Sequence, residues 1–127
     1  MSSPQVHEAF IGDNMVNYGE FLVNLVDAGV PTMIYAGEFD SQDGAKSCEP
    51  WLRTLPFTGS DEFWDSGRQI YWVPTPTEGY GANGFINGGL YRTNGVFTFL
   101  TVPKAGHFVP ANYYPPSYLF INDFVKY

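Results

Sequence analysis

The chain has 127 residues, enough for one domain with an apolar core and too few for two. Aromatic residues make up 18% against 15% charged, which excludes a disordered composition. A net charge of -7, with only six Lys and Arg, argues against a nucleic-acid partner, because neutralising phosphates takes basic residues.

The first residues, Met1 to His7, lack the basic and apolar regions of a secretory signal. No apolar run approaches the length that spans a bilayer, so no membrane association is expected. From Asn14 to Ala28 the residues Met15, Tyr18, Phe21-Leu22 and Leu25-Val26 recur at helical spacing, with Asp13 placed as N-cap and Gly29 as the stop. Val30 to Ala36 reads as a short strand. Ala45 to Leu55 reads as a second helix, weakened by Pro50 and ended by Pro56. Thr58 to Ser66 reads as a surface loop with an acidic helical turn around Asp61 to Phe63. Gln69 to Val73 is strand-like and is broken by Pro-Thr-Pro-Thr. Glu78 to Gly95, rich in Gly, Asn and Tyr, reads as hairpins and tight turns. Val96 to Val102 is the strongest strand, and Tyr118 to Val125, opened by Pro115-Pro116, a terminal helix. The fold class is α/β, and the main sheet should hold two or three strands, parallel where the candidate site lies. Such a sheet leaves an edge that wants a partner, which points to an incomplete domain.

One cysteine, Cys48, excludes an internal disulfide and a Cys-based zinc cluster. Two phrases carry chemistry. Tyr35-Ala-Gly-Glu-Phe-Asp40 ends one apolar run with an acid, and Lys104-Ala-Gly-His107-Phe-Val-Pro110 follows another with a histidine. Polar residues delivered by the C-terminal ends of strands build sites in open α/β sheets. A histidine titrates near neutrality and can act as general base. An acid can fix its tautomer and stabilise the imidazolium, and acid before histidine is the order of the last two triad members in α/β-hydrolases. Gly106 is expected to allow the turn that presents His107.

The phrases resemble the C-terminal third of the serine carboxypeptidases. That family has Tyr-(Ser/Ala)-Gly-Asp-x-Asp, matched here by residues 35–40 with Glu38 for the first Asp, and then a Trp-x-x-x-Leu phrase, matched by Trp51-Leu-Arg-Thr-Leu55. Its Leu-Thr-Phe-x-x-Val-x-Gly-Ala-Gly-His-x-Val-Pro phrase is matched by Phe97 to Pro110, and Val6 to Met15 resembles its Phe-x-Gly-Asp-Trp-Met lead-in. The resemblance implies that residues 1–127 form the C-terminal part of an α/β-hydrolase domain. It implies a hydrolase and protease: a serine-type peptidase that releases C-terminal residues through an acyl-enzyme, with Asp40 as triad acid, His107 as base and Phe108 lining the pocket for the leaving residue. It implies no metal and no organic cofactor, peptide C-termini as substrates, and a vacuolar, lysosomal or extracellular location.

Three departures stand out. Gly44 and Ser47 occupy positions where the family often has Asn and Gly, and Phe108 stands where several members have Met. None of Ser2, Ser3, Ser41, Ser47, Ser60, Ser66 or Ser117 lies in a Gly-x-Ser-x-Gly elbow. The nucleophile, oxyanion hole and carboxylate clamp are therefore expected from a missing N-terminal segment or a partner chain. Two alternatives are a non-catalytic truncated homologue acting as a binding or structural subunit, and an independent β-rich binding module. Glu38 reads as structural, His7 as an ordinary surface residue, and Cys48 as an inert thiol disfavoured as thiolate by Glu49. Trp51 and Trp64 read as core or loop anchors.

Overall fold

The computed structural model describes residues 3–12, 17–74 and 84–126. Helix α1 (Pro4–Phe10) starts at Ser3, whose Oγ accepts the Val6 N–H at 3.3 Å, with Pro4 at the first helical position. It buries none of its residues. Helix α2 (Gly19–Asp27) is shorter than the periodicity predicts, and the expected Asp13 cap and Met15 contact lie outside the described residues. Its end matches expectation: Gly29 sits at φ 74°, its N–H reaches the Val26 carbonyl, and the Val30 N–H reaches Leu25, a Schellman closure.

Strand β1 (Thr32–Gly37) leads to helix α3 (Ala45–Leu52). Pro50 falls in the last turn of α3, and the helix persists because Leu52 is fully buried in the core. The stretch expected as a surface loop contains helix α4 (Ser60–Asp65), which buries Phe63. Strands β2 (Gln69–Pro74), β3 (Phe85–Thr93) and β4 (Phe97–Val102) follow, then the short helix α5 (Val109–Asn112) and helix α6 (Tyr114–Val125).

The sheet has four strands in the order β1-β4-β3-β2. Only β1 and β4 are parallel, in register from Thr32↔Phe97 to Gly37↔Val102. The pairs β3/β4 and β2/β3 are antiparallel. This corrects the expectation of a few parallel strands: among the described residues the sheet is mostly antiparallel. The second half of the stretch predicted as hairpins, which is described from Gly84 on, is one long strand. Its composition hides it, because Gly88 and Gly89 serve packing rather than turning. A Cβ on Gly89 would lie 2.6 Å from a Leu100 methyl, and one on Gly88 would collide with Val73 and Tyr71.

The sheet faces differ. Against one lie α2, α3, α4 and an aromatic cluster in which Phe97 meets Phe63 at 5.0 Å and Phe57 at 5.3 Å. Fully burying a side chain of this size contributes about 2–3 kcal/mol. Against the other lie Leu100, Val102, Ala105, Val109 and Phe120, the last from α6. A cavity of about 420 Å3, lined among others by Met33, Tyr71, Leu100 and Phe120, remains on that side. No helix among the described residues is long and apolar enough to cross a membrane.

Candidate active site

The two parallel strands end side by side, and the loops that leave them carry the two expected residues. The loops are sewn together by backbone. The Glu38 N–H donates to the Val102 carbonyl at 2.9 Å, and the Phe39 N–H to the Ala105 carbonyl at 2.9 Å. Gly37 makes this approach possible. A Cβ there would sit 2.5 Å from the Ala105 carbonyl oxygen and collide with that of Gly106. Glu38 therefore acts through its main chain, in keeping with a structural role.

Asp40 is held from both sides. Its Oδ1 accepts the Gln42 N–H at 2.9 Å and the Asp43 N–H at 3.2 Å, which shapes the turn into α3. Its Oδ2 faces His107 Nδ1 at 2.9 Å. The side chain is 7% exposed. The Gln42 N–H above all, with smaller contributions from His107 and the Asp43 N–H, holds the carboxyl below its usual range against the opposing effect of desolvation. An ionised carboxylate only accepts, so Nδ1 carries the proton and Nε2 presents a lone pair. Gly44 fits the same turn, since a Cβ there would strike the Asp40 carbonyl.

His107 is 54% exposed, and its Nε2 takes no hydrogen bond from a described residue. Its ring meets Phe108 edge-on at 5.2 Å. Phe108 is 71% exposed and stands beside the base. Gly106 is not the residue that turns the loop. The positive φ belongs to Lys104, at 61°, and a Cβ on Gly106 would make only an ordinary contact, 3.5 Å from Asn112 Oδ1. Asn112, which the sequence reading passed over, holds the loop by accepting the Gly106 N–H at 3.0 Å. Asp43, also passed over, brings a second carboxylate to 3.9 Å from Nδ1.

Cys48 lies nearby and donates to the Asp43 carbonyl at 3.1 Å. Burial, then the charges of Asp43 and Asp40, push its thiol up. The thiol is disfavoured as a thiolate as expected, but by those groups rather than by Glu49, whose carboxylate is engaged by Arg53 and Arg68. Trp51 is exposed instead of anchoring the core, whereas Trp64 packs on Phe63 at 4.9 Å. No group of three His, Cys, Asp or Glu suited to a metal occurs among the described residues.

A histidine whose Nδ1 is held by a carboxylate, on the loops after adjacent parallel strands, is an arrangement able to move a proton. A model of the serine carboxypeptidase family matches residues 1–127, and the chain belongs to that family. Serine carboxypeptidase 3 of Triticum aestivum is 26% identical over 108 residues, which cover 85% of this chain and 20% of that protein. Carboxypeptidase Y of Komagataella phaffii is 29% identical over 117 residues, covering 92% and 20%. A serine carboxypeptidase-like protein of Pisum sativum is 32% identical over 108 residues, covering 85% and 34%. The chain thus spans about a fifth to a third of the length of these relatives.

Proposed function

We propose that residues 1–127 supply the base and the orienting acid of a serine-type carboxypeptidase with an α/β-hydrolase fold. One observation carries the reading: Asp40 fixes Nδ1 of His107 while Nε2 stays open, in a chain of this family. The serine, the oxyanion hole and the groups that bind the substrate's terminal carboxylate come from residues outside 1–127, on the same chain or on a partner.

In the reaction, Nε2 of His107 takes the serine hydroxyl proton as Oγ attacks the carbonyl carbon of the last peptide bond. Asp40 stabilises the imidazolium formed. The imidazolium returns its proton to the leaving amine nitrogen as the C–N bond breaks, leaving an acyl-enzyme. Water then attacks the ester, giving its proton to Nε2, and the serine recovers a proton as the peptide leaves. Phe108 gives the leaving residue an apolar wall. No metal or organic cofactor enters. The family resemblance favours a vacuolar, lysosomal or secreted setting.

The test compares two preparations. Residues 1–127 alone should neither hydrolyse blocked dipeptides nor be labelled by a fluorophosphonate, because no serine here has an elbow. The same segment within a chain that carries Gly-x-Ser-x-Gly should be active, and H107A there should lower kcat/KM by about a thousandfold or more. Stoichiometric labelling of a serine within 1–127, or full activity of H107A, would overturn the proposal.

A further inference from the structure

All three arginines of this acidic chain gather around Trp64 and Glu49, and their bonds go to neither Asp40 nor His107. Arg53 follows α3, Arg68 precedes β2 and Arg92 lies on β3. Arg53 Nε and Nη2 donate to Glu49 Oε1 at 3.2 and 2.9 Å, and Arg68 Nη2 donates to Glu49 Oε2. Arg92 Nη1 donates to the Trp64 carbonyl at 2.8 Å. The guanidinium carbons of Arg53 and Arg92 lie 4.3 and 5.7 Å from the centroid of the Trp64 ring. Among the described acidic residues Glu49 alone bonds to this cluster, with Asp65 as a more remote influence on Arg92.

The cluster is therefore short of negative charge and rich in donors. Each guanidinium carries five N–H groups. Arg53 uses two on Glu49, Arg68 one on Glu49, and Arg92 one on Trp64. Arg53 and Arg68 keep 46% and 40% of their side chains exposed, so an ion from solvent can reach both. Trp64 Nε1 is buried and has no acceptor among the described residues. The like charges are felt: burial first, then Arg68 and Arg53, hold Arg92 below its usual range, with Glu49 and Asp65 opposing. Planar forks stacked on an indole suit a compact oxyanion, which accepts several N–H groups at once.

We propose that Arg53, Arg68 and Arg92 around Trp64 form a binding site for a tetrahedral oxyanion, phosphate or sulfate in class. The anion completes the charge that Glu49 leaves open and accepts the free guanidinium donors. This site is independent of peptide hydrolysis.

The test is titration of the protein with inorganic phosphate at constant ionic strength, read on the Trp64 indole N–H resonance. A saturable shift with Kd on the order of 1 mM is expected, with sulfate close behind and acetate at least about tenfold weaker, since a planar monoanion fills fewer forks. R68K and R53K keep the charge, remove the fork at exposed positions and should each weaken phosphate about fivefold or more. K46A, outside the cluster, should leave it unchanged. A linear response equal to that of chloride would overturn the proposal. So would equal affinity in R68K, R53K and K46A.

Discussion

The two loops that leave the parallel strands solve different problems. The Asp40 loop is determined by its own side chain, whose carboxylate closes a turn on two N–H groups and is almost wholly covered. The His107 loop has no such internal lock. It is positioned by its neighbours: Gly37 and Phe39 on one side, Asn112 on the other. The first loop is a frame, and the second presents a half-exposed ring to whatever lies in front of it. A ring left half-exposed takes its precision from the surrounding main chain.

Breaking the frame at the point where the loops touch should have the largest effect. Gly37→Ala puts a methyl against two main-chain carbonyls, neither of which can move cheaply. Overpacking of this kind costs about 1–3 kcal/mol, and the Asp40–His107 contact should be lost with it. Gly106→Ala, by contrast, makes only an ordinary contact with Asn112 Oδ1 and should change stability by less than about 0.5 kcal/mol. Thermal unfolding and the His107 ring resonances of the two variants decide this. Equal losses would mean that both loops depend on glycine alike. Next in size, Asn112→Ala leaves the Gly106 N–H without its acceptor and should cost about 1 kcal/mol, while the Asp40 turn stays formed. Amide exchange at Gly106 against that at Gln42 separates the two.

The contrast explains what could be read from the chain. The meeting of Asp40 and His107 was legible because each follows an apolar run that forms a strand, and the two strands pair in parallel. Gly37 was not, because its role arises from close approach to the Ala105 carbonyl, nearly seventy residues away; Asn112 was not, because its tie to the Gly106 N–H, six residues back, depends on how the chain turns between them. Gly106 misled because local composition suggests a turn where Lys104 makes it. Strand β3 was missed for a related reason: its glycines make room for Leu100 and Val73, a tertiary demand that looks locally like turn chemistry. The mostly antiparallel sheet follows from that missed strand, since β3 joins β2 to β4. Helix α4 was read as a turn because its one buried anchor, Phe63, lacks a periodic partner within six residues.

A smaller effect concerns acidity. The Asp40 carboxyl lies below its usual range in the folded chain, chiefly through the Gln42 N–H. Below about pH 4, where an unfolded Asp takes up a proton, the unfolded state binds more protons than the folded one, so stability rises with pH there. The contribution of Asp40 is complete above its ordinary value and is lost as pH falls through the lowered folded one. Asp40→Asn keeps an Oδ1 acceptor for the turn but cannot titrate. Its unfolding midpoint should therefore vary less with pH than that of the native chain over roughly pH 2–5. Identical acid profiles would show that the turn hydrogen bonds do not depend on the charge, and the frame would then be geometric only.

The smallest expected effect is at His107. It is more than half exposed, hydrogen-bonds Asp40 and meets the ring of Phe108, itself exposed, edge-on. Removing it deletes little buried area and opens Asp40 Oδ2 to water, which replaces the lost hydrogen bond. His107→Ala should therefore change unfolding free energy by no more than about 0.5 kcal/mol. The Gln42 and Asp43 amides should stay protected, because Asp40 Oδ1 holds them without the imidazole. If the frame-and-presentation contrast were wrong, and the ring helped to build the Asp40 turn, those two amides would exchange faster in the variant and its melting point would fall by several degrees. Chemical unfolding together with amide exchange in the same sample distinguishes the outcomes.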